Sequence, residues 1–158
     1  MAMLPTLRVK RFLPEVKLPT RANPSDAGLD LYSPTATTIQ PGELKTISLG
    51  IGVEVPEDMV GLLFPKSGLS TKFGTGILAN VVDSGYSGEI HAVIVNHGDK
   101  ELTINVGAKV CQLVVIPCLI SAVEEVGELA SSSRGEHRFG SSGVWGLARK
   151  KCSWKWLR

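Results

Sequence analysis

An acid and an aromatic residue meet at a turn in Val81-Val82-Asp83-Ser84-Gly85-Tyr86-Ser87-Gly88-Glu89. The apolar run feeding directly into Asp83 suggests a partly enclosed carboxylate, the kind that holds and deprotonates a water. A plain turn aspartate is the alternative. In Phe64-Pro65-Lys66-Ser67-Gly68-Leu69-Ser70 a strand ends in proline and is followed by a cation, a hydroxyl, a glycine and a helix start. Backbone N–H groups at a helix start, unobstructed at Gly68, attract anions, and Lys66 adds charge; an ordinary capped turn fits the same residues. Arg134-Gly135-Glu136-His137-Arg138-Phe139-Gly140-Ser141-Ser142-Gly143 combines two guanidinium groups with hydroxyls, glycines and one aromatic. Such forks suit phosphate oxygens and a lone ring can stack on a base, so the segment reads as a nucleotide grip. A solvated Ser/Gly linker has similar composition. Asp30 in Ala27-Gly28-Leu29-Asp30-Leu31-Tyr32 could be a strand-edge residue. Gln112 says more, because an amide inside Val110-Cys111-Gln112-Leu113-Val114 must find partners or point at a ligand.

The elements that must carry these residues are strands. Ile47, Leu49, Ile51, Val53 and Val55 alternate with smaller or polar residues, which predicts one strand over 47–55 with one face in a core. Further strands are expected at 59–64, 77–82, 90–95, 102–106, 110–116 and 119–126, broken by Gly, Pro, Asp or Asn clusters. Turns are expected at 40–43, 84–85 and 96–99. Helix is limited to one or two turns at 67–73, with a second, basic one conceivable from Trp145. The pattern predicts a single all-β sandwich or barrel.

The chain's 158 residues suit one domain, and 43% apolar with 20% charged residues argues for a packed core. No apolar run is long enough to span a membrane, and residues 1–10 lack the order of a secretory signal, so a soluble intracellular protein is expected. Three cysteines without CxxC spacing predict free thiols, and the three histidines have no metal-ligand spacing. The net charge of +2 hides an asymmetry. Arg149, Lys150, Lys151, Lys155 and Arg158 lie in an acid-free tail, leaving 12 basic and 15 acidic residues, a net of −3, in the first 143.

Taken in order, A-G-L-D-L-Y, P-K-S-G-L-S, V-V-D-S-G-Y-S-G-E, G-A-K-V-C-Q-L and R-G-E-H-R-F-G-S-S-G closely resemble the five motifs of trimeric deoxyuridine triphosphatases. The resemblance spans residues 7–143. It implies a β jelly-roll body over 1–129, a mobile arm over 130–143 that closes the active site, and a homotrimer with three shared sites. It also implies hydrolysis of dUTP to dUMP and pyrophosphate by water attack on the α-phosphorus, which limits uracil incorporation into DNA. Asp83 would activate the water. Backbone groups around Asn80 and Val81 would hold uracil, and Tyr86 would lie against the deoxyribose and exclude a ribose hydroxyl. Lys66, Ser67, Gly68 and Gln112 would grip the triphosphate, with Arg134 on the distal phosphates. Ser141 and Ser142 would add donors, and Phe139, followed by Gly140, would stack on the base. Mg²⁺ would bridge the phosphates with no direct protein ligand, one of its waters meeting Asp30.

The chain departs from the family pattern at three places. Lys66 stands where arginine is usual, turning a bidentate fork into a point charge. Asn80 replaces a common glycine, so its side chain must turn away from the uracil pocket. Glu136-His137-Arg138 fills a stretch that is usually rich in glycine. Beyond Gly143, residues 144–158 hold all three tryptophans among basic residues, suiting nucleic acid, an acidic partner or an anionic membrane surface; alternatively the tail folds back and buries its indoles. Two other readings remain: a catalytically weakened binding or signalling module on the same fold, and the related dCTP deaminase. The deaminase would need a glutamate base and a second arginine near Lys66, and residues 69–72 supply neither.

Overall fold

A computed structural model of the chain describes residues 6–132 and residue 135. The grip residues Arg134, Phe139, Gly140, Ser141 and Ser142 and the tail 144–158 lie outside the described residues. The chain divides into two units, Met1–Ser121 and Ala122–Arg158. The first unit carries every regular element described: β1 Arg8–Arg11, β2 Leu29–Tyr32, β3 Thr37–Ile39, β4 Leu44–Ser48, β5 Ile51–Glu54, β6 Met59–Pro65, α1 Ser67–Phe73, β7 Thr75–Leu78, β8 Val81–Val82, β9 His91–Asn96, β10 Leu102–Ile104 and β11 Lys109–Pro117. In the second unit the described residues form no helix or strand. No described helix is long and apolar enough to cross a membrane.

The strands pair antiparallel in four sheets, ordered β2-β11-β6-β8, β4-β9-β7, β1-β5 and β10-β3. The expected all-β jelly-roll body is therefore present. Alternation over 47–55 correctly forecast burial, since Ile47, Leu49, Ile51, Val53 and Val55 are all core residues. It did not forecast continuity. Gly50 adopts φ +66° and breaks the run, so that β4 joins one sheet and β5 another. The 77–82 run is likewise two strands. Ala79 at φ +53° turns the chain from β9 toward β6, and Asn80 Nδ2 donates to Leu63 O at 2.6 Å while Leu63 N donates to Asn80 O at 2.8 Å.

Residues 119–126 form no strand, against expectation, and Leu119 and Val123 are 89% and 99% exposed. β11 loses its neighbour there: Pro117 already pairs with Met59, the first residue of β6. The helix falls where expected, at Ser67–Phe73, ended by Gly74 in the left-handed region. The turn at 40–43 forms as well, with Glu43 N donating to Gln40 O and Gly42 at φ +77°.

Candidate active site

β8 runs into the turn that carries Asp83. Tyr86 N donates to Asp83 O at 3.0 Å, closing the turn, and the Tyr86 hydroxyl donates to Glu89 O at 2.7 Å, fixing the ring. Gly88 makes room for that ring, since a β-carbon there would lie 2.6 Å from the hydroxyl. The Glu89 carboxylate accepts from Gly50 N at 2.6 Å and from Ser48 Oγ, tying the turn to the β4–β5 break. Beside this turn is a cavity of about 220 Å³, with Leu63, Val81, Asp83, Tyr86, Glu89 and His91 in its wall. The chain alone leaves Asp83 exposed rather than partly enclosed, and Val81 and Tyr86 are 60% and 45% exposed. Asp83 is exposed and lines the cavity. Asn80 turns its amide to Leu63 O.

At the other end of β6, Pro65 delivers Lys66 as the N-cap of α1, with extended backbone and no side-chain cap. Ser67 and Gly68 follow, both exposed, and a β-carbon at Gly68 would meet nothing within 4 Å. Their N–H groups belong to the first helical turn and have no intrahelical acceptor. Asp30 on β2 is 2% exposed and ion-paired twice, with Lys66 Nζ at Oδ1 and Lys109 Nζ 2.6 Å from Oδ2. Burial works against ionisation of Asp30, but the two ammonium groups outweigh it and hold its carboxyl below the usual aspartate range. The same pairing raises Lys109 above the ordinary lysine range. Gln112 stands opposite Asp30 and Phe64 in the sheet, and its Nε2 donates to Pro65 O at 3.1 Å. Cys111 is fully buried and its thiol is pushed up to about 12 by burial, which makes it inert at neutral pH.

Sequence-predicted residues thus gather in two groups. Asp30, Lys66, Ser67, Gly68 and Gln112 form one, and Val81, Asp83 and Tyr86 form the other. The two groups do not meet within one chain. Val82 pairs with Gly61, which sets Asp83 beside Val60, whereas Lys66 follows Pro65 at the far end of the strand. Six residues of strand correspond to about 20 Å at roughly 3.3 Å per residue. Lys109, Glu89 and His91 were not singled out from the sequence. Lys109 had a usable signal, a lone cation at the head of an apolar strand three residues before Gln112.

Among the described residues no three His, Cys, Asp or Glu side chains cluster to hold a metal ion. Both Asp30 oxygens face lysines.

The dUTPase family pattern matches residues 14–143. A deoxyuridine 5'-triphosphate nucleotidohydrolase of Clostridium tetani is 39% identical over 140 residues, covering 87% of this chain and 97% of that protein. The enzyme of the same name from Mycolicibacterium gilvum is 39% identical over 150 residues, covering 89% and 97%. Among solved structures, the dUTPase of Staphylococcus bacteriophage 80alpha with dUpNHpp superposes with a TM-score of 0.82 at 31% identity, covering 88% of this chain and 99% of that one. A mutant dUTPase of phage phi11 of S. aureus, described with a coordinated structural Mg(II) ion, gives a TM-score of 0.73 at 27% identity over 78% of this chain and 98% of that one.

Proposed function

Because this chain belongs to the dUTPase family and hydrolyses dUTP to dUMP and pyrophosphate, we propose that each active site joins the Asp83 turn of one copy to the Lys66 cluster of another. The separation of Asp83 and Lys66 along β6 supports this reading. Neither side chain spans about 20 Å, yet one substrate must meet both the water-activating acid and the phosphate grip. A closed homotrimer with three shared sites satisfies that requirement. The 80alpha enzyme's dUpNHpp, an analogue of the triphosphate, suits a site of this kind.

In this site Asp83 takes a proton from the water that attacks the α-phosphorus, and the α–β bridging bond breaks to release pyrophosphate. Backbone groups at Asn80 and Val81 hold uracil, and the fixed Tyr86 ring packs on the deoxyribose and leaves no space for a 2′-hydroxyl. Lys66, Ser67, Gly68 and Gln112 hold the phosphates. The arm 130–143 closes over the 1–129 body of a neighbouring copy, bringing Arg134 to the distal phosphates, Phe139 and Gly140 to the base, and Ser141 and Ser142 as further donors. The tail 144–158 offers a basic, indole-rich surface to nucleic acid, an acidic partner or an anionic membrane.

Were Mg²⁺ to accompany the substrate, the buried, lysine-paired Asp30 would not ligate it directly and would face it only through water. The cation's chemistry there is neutralisation of charge on the phosphate oxygens.

Subunit mixing tests the shared site. Asp83→Asn and Lys66→Met are each expected to be nearly inactive alone. Co-refolded in equal amounts, they regain activity in about a quarter of sites, where the intact halves of two chains meet. Mixtures as inactive as their components would show that both groups act from one chain.

A further inference from the structure

The strand β11 contains one irregularity, and it lies next to the phosphate-gripping cluster. Between Lys109 and Cys111 the pairing with β2 shifts register: Lys109 stands opposite Tyr32, Cys111 opposite Leu31 and Gln112 opposite Asp30. Two residues of β11 thus oppose one step of β2, which is a bulge at Val110. Residues directly opposite across a strand pair share a face. Leu31 and Cys111 share the core face and are both fully buried. Asp30 and Gln112 share the other face, and Tyr32 brings Lys109 onto that same face. In an unbroken strand Lys109, two residues before Cys111, would lie with it on the core face. The bulge is therefore what aims Lys109 Nζ at Asp30 Oδ2, 2.6 Å away.

The charges explain why that matters. Asp30 is almost wholly buried, and its other oxygen binds Lys66. A lone Asp30–Lys66 pair is neutral, and its carboxylate competes with any phosphate for the Lys66 ammonium. With Lys109 on the second oxygen the cluster carries one net positive charge, and the carboxylate is divided between two cations. We propose that Lys109 is a positioning residue for dUTP hydrolysis: by sharing the Asp30 carboxylate it weakens that carboxylate's competition for the Lys66 ammonium and leaves Lys66 available to the triphosphate. The inference rests on the assignment of Lys66 to the phosphates and goes beyond it, since Lys109 acts through Asp30 and not on substrate.

The test uses the full chain as wild type, Lys109→Met, Lys109→Arg and Lys66→Met. Each is assayed for dUTP turnover and for inhibition by inorganic tripolyphosphate and by dUMP, the nearly inactive K66M instead for tripolyphosphate binding by calorimetry, with thermal melting and subunit assembly as controls. K109M is expected to weaken tripolyphosphate inhibition about tenfold and to raise KM for dUTP more than it lowers kcat, leaving dUMP inhibition within about twofold. K109R should recover to within about twofold of wild type. In an Asp30→Asn background the K109M loss should shrink to under about twofold, because the competing carboxylate is gone. If D30N fails to assemble, the same cycle is run in K66M by tripolyphosphate calorimetry, where K109M should again add nothing.

A K109M enzyme with unchanged tripolyphosphate inhibition would overturn the proposal. So would a tenfold loss that persists in D30N or K66M, which would mean that Lys109 touches phosphate itself. Equal weakening of dUMP would overturn it too, by showing a general structural collapse. Unaltered tripolyphosphate binding by K66M would instead refute the assignment of Lys66 to the phosphates.

Discussion

The backbone of Gly28 passes so close to Gln112 that a β-carbon at position 28 would lie 2.2 Å from Gln112 Oε1 and 3.1 Å from its Cδ. The amide of Gln112 is thereby confined between Gly28 and Pro65 O, its acceptor at 3.1 Å. Gly28→Ala must therefore rotate or lift the amide. We expect kcat/KM for dUTP to fall about tenfold through misplacement of a phosphate contact. Stability should move by less than about 1 kcal/mol, since the backbone at Gly28 suits alanine. Steady-state kinetics beside a denaturant titration would check this, and full activity would place Gln112 outside the phosphate grip.

Asp83 is exposed at the rim of its cavity in the single chain. Asp83→Asn keeps the shape of the side chain and removes its basicity. Turnover of dUTP should fall about 10²- to 10⁴-fold, while calorimetry shows dUpNHpp bound within about threefold of wild type. An active variant would remove Asp83 from proton transfer.

Tyr86 owes its position to the Glu89 carbonyl and to the space at Gly88. Tyr86→Ala enlarges the cavity, and if the ring packs on the deoxyribose as proposed, the ratio of UTP to dUTP hydrolysis should rise about tenfold. Tyr86→Phe retains the ring and loses one hydrogen bond, so it should fall between the two. Parallel pyrophosphate-release assays with both nucleotides read the ratio directly; an unchanged ratio in Y86A would assign the discrimination elsewhere.

Asp30 has a pH signature with a defined sign. Its folded carboxyl lies below the ordinary aspartate range, because Lys109 and Lys66 overcome the effect of burial. The unfolded chain, at about 3.9, therefore binds the proton more readily. The stabilisation is complete above that value and is lost as pH falls through the folded one. Melting temperature should drop more steeply below about pH 4 in wild type than in Asp30→Asn. At pH 7 the variant should be less stable by about 2 kcal/mol, below the usual figure for a broken buried pair because both lysines reach solvent. Parallel melting curves for the two proteins would refute the pairing as a source of acid sensitivity.

Much of the site could be read in the sequence because its elements are local. The helix at Ser67–Phe73 follows from Pro65 before it and Gly74 after it, and the 40–43 turn from Pro41 and Gly42. The inward face of 47–55 follows from a period of two. Gln112, marked by type alone as an amide in an apolar strand, donates from Nε2 to Pro65 O.

What the sequence could not show depends on pairing between distant segments. β1, with the polar run Arg-Val-Lys-Arg, is a strand only because β5 lies beside it. The breaks at Gly50 and Ala79 exist because each run serves two sheets, and residues 119–126 stay unpaired because β6 has ended. The bulge that turns Lys109 to Asp30, and the length of β6 that parts Asp83 from Lys66, are register facts. Local residue type determined which segments could be strands and which side chains could do chemistry. Burial of several sheet faces at once determined which strands paired, in what register, and hence which charges meet.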